Sequence, residues 1–236
     1  MARRSKKYRS SCESYDRRKA YSWEEAIGIL RSFPKRGFDE AVELSFNLGI
    51  DGRQADQALR GTVMLPHGSG REIRVVVITQ GDLVAEAEEN GADFVGGAEL
   101  AEKIQKGWLD FDMVIASPDM MGQVGKLGRI LGPRGMMPNP KTGTVTREIG
   151  EAVKQAKSGR VEFRADNKSG NNAQAAIGRV SFGDKELQEN AEAFSEAITR
   201  AKPAGSKGTY VRKLTLSSTM GPAVRIDPAV LVSSSR

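Results

Sequence analysis

The chain has 236 residues, 39% of them hydrophobic and 6% aromatic, with 26 glycines and a formal net charge of +6. One cysteine, Cys12, and one histidine, His67, exclude an intrachain disulfide and a thiolate–imidazole zinc site within the chain. No apolar run reaches the roughly 18 residues of a membrane span, and the start MARRSKKYRS lacks the apolar core of a signal peptide, so a cytoplasmic protein without a membrane partner is expected.

The chain opens on Arg3, Arg4, Lys6, Lys7 and Arg9, with no acid among them. Ser22-Trp23-Glu24-Glu25 then has the spacing of a capping box: serine oxygen and Glu25 carboxylate satisfy the free amides of a helix start. Ala26, Ile27 and Leu30 supply that helix's apolar stripe, and Pro34 and Gly37 end it. In AVELSFNLGI, Val42, Leu44, Phe46, Leu48 and Ile50 alternate with polar residues or glycine, which predicts a half-buried strand. RGTVMLP, 60–66, reads as extended. His67 falls in PHGSG, where a turn residue is the better reading than a catalytic imidazole.

From there the pattern changes. IRVVVIT, 73–79, is a continuous apolar run, as in a strand covered on both faces. A helical DLVAEAEEN, then DFVGG, a helical ELAEKIQKG and a second buried strand in DMVIAS follow. VGKLGRIL and IGEAVKQAKSG are the next helical candidates. Short buried strands alternating with helices predict an open α/β sheet. VEFRAD alternates again, and AIGRVSF does so less cleanly. Asp184 is expected to cap a helix with Leu187, Ala191, Phe194 and Ile198 on one face. TYVRKLTLSST is a strand with basic residues beside apolar ones.

The outer segments thus resemble each other and the middle differs. The expected fold is an α+β terminal domain, discontinuous over 1–66 and 160–236, with an inserted Rossmann-like α/β domain at 67–159. Strands 60–66 and 159–165 would form a double hinge, and the glycine turns beside them permit the insertion.

Charge is sorted into blocks. Met120 to Arg147 holds Lys126, Arg129, Arg134, Lys141 and Arg147 without an acid, and Ala197 to Arg225 holds six cations without one. Asp82 to Asp119 reverses this, with ten acids against Lys103 and Lys106. Basic blocks attract phosphates. The glycine-rich stretch 122–144 is no P-loop, because no serine or threonine follows the Gly125-Lys126 pair. It is either a flexible basic loop or one that faces RNA or tRNA. A dinucleotide fingerprint is absent after 73–79, where Gly81 stands alone, so no cofactor is expected. The acids at 86–89 and 99–102 suit solvated helix faces better than acid–base catalysis. In LSSTMGPAVRID, Ser217, Ser218 and Thr219 can donate to phosphates without charge, and Gly221 permits close backbone approach. Met220 either packs on a base or sugar or fills the core of a buried hairpin turn; the pattern leaves both open.

FNLGIDGRQADQALRGTVMLPHGSG, FDMVIASPDMMGQVGKLGRILGPRGMMPNPKTGTVT and KGTYVRKLTLSSTMGPAVRID stand in the order found in the L-one ribosomal protein family, which the chain resembles over nearly its whole length. The resemblance implies a two-domain, non-catalytic protein, with no metal and monomeric when free. Its terminal domain would grip the stalk segment of large-subunit ribosomal RNA. Thr219, Met220, Gly221 and Phe38 map onto the centre of that surface, with Glu43, Ser45, Arg164, Asp166, Lys168, Ser169 and Ser217 as neighbours. The inserted domain is implied to reach toward the exit-site tRNA, with Lys126, Arg129, Arg134 and Lys141 as the facing residues. Repression of translation through the operon's own messenger RNA is implied as well. One stretch departs from the family: ADNKSGNNAQAAIG, 165–178, is longer, lacks a histidine and offers Asn171, Asn172 and Gln174. A rival class is a nucleotide-binding enzyme with its site in the α/β insertion; it predicts tight mononucleotide binding.

Overall fold

The two hydrophobic periods of the chain build two separate sheets in the computed structural model, which describes residues 5–51, 54, 57–166, 171–206 and 208–233. In chain order the elements are α1 (Lys6–Glu13), α2 (Trp23–Ser32), β1 (Ala41–Leu48), β2 (Arg60–Met64), β3 (Val75–Ile78), α3 (Leu83–Glu89), β4 (Phe94–Gly96), α4 (Ala98–Gln105) and β5 (Met113–Ala116). They continue with α5 (Met121–Val124), α6 (Gly128–Leu131), α7 (Ile149–Lys157), β6 (Arg160–Asp166), β7 (Asn172–Arg179), α8 (Asp184–Arg200), β8 (Val211–Ser218), β9 (Val224–Ile226) and α9 (Val230–Ser233). The chain divides into two units, Met1–Gly70 with Val161–Arg236, and Arg71–Arg160.

The first unit carries a six-stranded sheet in the order β2-β6-β7-β1-β8-β9. β1 lies near its centre, antiparallel to β7 and β8. Its alternation is realised residue by residue: Val42, Leu44, Phe46 and Leu48 are buried, and the residues between them are half-buried. Phe46 meets Phe194 of α8 edge-on at 5.4 Å, and Phe163 of β6 meets the same ring at 5.5 Å. Each such buried ring contributes roughly 1.5–3 kcal/mol. The capping box forms: Ser22 Oγ accepts from Glu25 N–H at 3.3 Å, and the Glu25 carboxylate accepts from Ser22 N–H at 3.1 Å. That start turns Trp23, Ala26, Ile27 and Leu30 of α2 into the core.

The second unit carries a three-stranded parallel sheet, β4-β3-β5. All four residues of β3 are buried because both faces are covered. Val76 and Ile78 pack with Leu100 and Ile104 of α4, and Val75 and Val77 pack with Ala87 of α3 and Val153 of α7. The continuous apolar run needs that double cover.

Several local expectations are corrected. The stretch 124–131 is not one helix: α5 and α6 are single turns joined by a 3-10 turn at Gly125–Leu127. Glycines at 122, 125, 128 and 132 raise the entropic cost of a continuous helix. Asp184 is the first residue of α8 rather than its cap; Gly183 takes that place, its N–H donated to Glu186 Oε2 at 2.7 Å. The extended run read at 176–182 stops at Arg179, and it begins earlier, at Asn172. Most of the departing stretch 165–178 is therefore strand, entered through Asn171 at φ 60°. α1, with Ser5 Oγ accepting from Tyr8 N–H at 3.2 Å, sits in a polar stretch that carries no apolar stripe to announce it.

Candidate nucleic-acid interface

β8 and β9 form an antiparallel pair, and Thr219, Met220 and Gly221 begin the connection between them. The backbone of this connection is tied to the start of β1. Thr219 N–H donates to the Ala41 carbonyl at 3.1 Å, and Thr219 Oγ1 accepts from Ala41 N–H at 3.0 Å. Met220 N–H donates to Glu40 Oε2 at 3.0 Å. The other oxygen of that buried carboxylate lies 3.5 Å from Arg36 Nε, and Arg36 in turn donates to the Met220 carbonyl at 3.5 Å. A buried carboxylate is tolerable only when so paired, and here the pairing fixes the turn.

The Met220 side chain takes no part in this. It is 54% exposed, as is Phe38, two residues before Glu40. The alternative of a methionine filling a buried hairpin core is thereby removed. Gly221 is required sterically: a Cβ there would sit 2.5 Å from Ser218 Oγ and 3.1 Å from the Phe33 ring. Beside the turn lies a groove of about 420 Å³ lined in part by Phe33, Lys35, Arg36, Phe38, Ser181 and Ser218. It joins aromatic, cationic and hydroxyl groups with the carboxylates of Asp39 and Glu40 in one concavity, and Ser181 Oγ donates to Asp39 Oδ2 at 2.7 Å.

The turn borders the face of the sheet opposite the core. Register places Glu43 opposite Ser217, Ser45 opposite Thr215 and Gln174, and Asn47 opposite Lys213 and Asn172. Asp166 pairs with Asn172, and Arg164 lies two residues back on the same face of β6. Five of the sequence candidates, Glu43, Ser45, Arg164, Asp166 and Ser217, therefore share one face. Asn47 Nδ2 donates to Asn172 Oδ1 at 2.7 Å, and Arg225 of β9 faces Thr215. Hydroxyls and amides dominate the middle of this face, with charges toward its margins. Such groups recognise phosphates, 2′-hydroxyls and base edges. Lys168 and Ser169 lie outside the described residues.

Lys126, Arg129, Arg134 and Lys141 belong to the other unit. All four are exposed, and none forms an ion pair among the described residues. Val124, Leu127 and Leu131 alternate with them and anchor the segment in the core beneath. Asn139 Oδ1 accepts from Lys141 N–H at 2.8 Å and starts the 3-10 turn that presents this lysine.

The Arg36–Glu40 anchor was not legible in the sequence, because its partner is a backbone N–H 180 residues away. Lys213 and Arg225, which also face outward, could have been found by extending the period-two count through β8 and β9. Among the described residues no group of three or more His, Cys, Asp or Glu side chains could hold a metal ion, and no helix is long and apolar enough to cross a membrane.

The family model described as "Ribosomal protein L1p/L10e family" matches residues 30–222. A protein of Nocardioides sp. described as "Large ribosomal subunit protein uL1" is 52% identical over 225 residues, which are 95% of this chain and 93% of that protein.

Proposed function

The chain belongs to the ribosomal protein L1p/L10e family, and from that premise we propose that it is a structural, non-catalytic constituent of the cytoplasmic large ribosomal subunit that grips the stalk segment of its ribosomal RNA. The RNA lies across the outward face of the six-stranded sheet. Phe38 and Met220 pack against bases or sugars, Thr219 and Gly221 bring backbone close, and Glu43, Ser45, Arg164, Asp166 and Ser217 contact hydroxyls and phosphates. The observation that carries this reading is an exposed methionine on a turn whose backbone is fixed by a buried carboxylate. A protein gains nothing in stability by pinning an apolar side chain outward.

The reading extends to organisation and partners. Residues 1–66 and 160–236 act as one discontinuous RNA-binding domain, and 67–159 as an inserted α/β domain; the two compact units and the two separate sheets support this. Lys126, Arg129, Arg134 and Lys141 face the exit-site tRNA and assist its movement and release. The face that binds ribosomal RNA also binds a similar fold in the operon's own messenger RNA and represses its translation. The free protein is monomeric.

The test is a titration of the purified chain with the stalk RNA, against a scrambled RNA of equal length, over a range of salt. A strong preference that survives at physiological salt is expected, with a slope of log K against log salt of about 0.7–0.9 per phosphate contact. Equal binding of both RNAs that vanishes with salt would reduce the interaction to a cation attracting a polyanion. Tight binding of a mononucleotide would favour the enzyme class instead.

A further inference from the structure

Among the described residues four large apolar side chains are exposed: Phe38, Met64, Phe94 and Met220. Phe38 and Met220 belong to the proposed RNA contact. Phe94 does not; it stands on β4, an edge strand of the three-stranded sheet in the other unit. Its ring meets Trp108 edge-on with centroids 4.8 Å apart, and Trp108 leans on buried Phe111 at 5.3 Å. Phe94 and Trp108, together with Leu100, Lys103 and Lys106, line a groove of about 470 Å³.

The chemistry of this groove is specific. Lys103 lies in the last turn of α4 and Lys106 at its C-terminal cap; both are exposed and neither forms an ion pair among the described residues. They are the only cations in the stretch Asp82–Asp119, which carries ten acids. Cations at a helix C-terminus offset its dipole, but that leaves the exposed Phe94 ring, packed on half-buried Trp108, unexplained. An occupant therefore needs an apolar side chain and one or two negative charges. A nucleic-acid backbone suits the lysines but would run past exposed Glu99 and Glu102 on the same helix and exposed Asp110. A peptide with one or two carboxylates can meet the lysines and avoid those acids.

We propose that this groove docks a short acidic, amphipathic segment of a partner protein. A large aliphatic or aromatic side chain fills the space against Phe94, Leu100 and Trp108. Its carboxylates meet Lys103 and Lys106. Aromatic walls of this kind concentrate binding energy in a few anchors.

The test is selection of displayed random peptides of about twelve residues against the full chain, with the Lys103→Glu/Lys106→Glu double variant as counter-target. Enriched peptides should pair a large apolar residue with one or two acids and bind the chain at least about tenfold more tightly than the charge-reversed variant. Phe94→Ser should weaken the same peptides comparably and leave stalk-RNA binding unchanged, which separates this groove from the sheet face. No enrichment over the counter-target, or enrichment of basic peptides, overturns the proposal. Displacement of the peptides by single-stranded oligouridylate would reassign the groove to nucleic acid, and overturns it too.

Discussion

At Met220 the backbone and the side chain serve different ends. The backbone N–H is held by Glu40 and the carbonyl by Arg36, while the side chain stands in solvent. Truncation should therefore separate binding from stability. Met220→Ala is expected to weaken stalk-RNA binding by roughly 1–3 kcal/mol, the scale of a lost stacking contact, with the melting temperature unchanged. Calorimetric melting beside an RNA titration checks both halves. A lower melting temperature with unchanged affinity per folded molecule would return Met220 to a structural role. At this scale the sequence supplied the residue types and the tertiary structure supplied their direction. An exposed and a buried methionine look alike in a string of letters.

At the scale of the element, β1 is the clearest case. Its two faces alternate strictly, so neighbouring residues should give opposite phenotypes. Leu44→Ala opens a hole in the core and should cost about 2–5 kcal/mol of stability, with affinity per folded molecule preserved. Ser45→Asp places a carboxylate in the middle of the outward face; it should lower RNA affinity by about tenfold or more and leave stability within roughly 0.5 kcal/mol. Denaturant melts and RNA titrations of the two variants distinguish the faces. The end of α8 offers a pH test. Tyr210, just before β8, is buried and donates its hydroxyl to the Ile198 carbonyl at 3.0 Å. Burial pushes its phenol up from 10.0 to about 12. The folded state thus favours the neutral phenol, and that contribution is complete below pH 10 and lost as pH rises toward 12. Tyr210→Phe should be less stable at pH 8 by about 1 kcal/mol for the lost hydrogen bond. Above pH 10 the gap between the two proteins should narrow or invert. Urea melts across this range measure it.

At the scale of the whole molecule, the residues proposed to meet stalk RNA and those proposed to meet tRNA fall in different compact units. The basic residues Lys126, Arg129, Arg134 and Lys141 lie in the compact unit that does not hold the six-stranded sheet. Reversing all four to glutamate should reduce binding of deacylated tRNA by at least about tenfold at low salt and leave stalk-RNA affinity within about twofold. Paired titrations with the two RNAs check this; an equal loss for both would mean that one surface serves both ligands. The four side chains are exposed, so the fold should survive the change.

Much of this molecule was legible in the sequence because it is written in local periods. Alternation at Val42–Leu48 and the continuous apolar run at Val75–Ile78 distinguish a sheet covered on one face from one covered on both. The reason is that each side chain's burial is set by its own strand's pleat. The capping box at Ser22 was legible for a similar reason, since its partners lie three residues apart. Where glycine or polar residues blur the period, less is legible: glycines at 122, 125, 128 and 132 break the 124–131 stretch into single turns, and the start of β7, Asn172–Gln174, alternates only polar side chains with alanine. What only the tertiary structure decided depends on partners far apart in the chain. Glu40 reaching Met220, Glu43 standing opposite Ser217, and Phe94 meeting Trp108 are such pairings. A linear pattern records which residues can pair. Only closure of the chain, with its loop entropy offset by the buried core, selects which of them do.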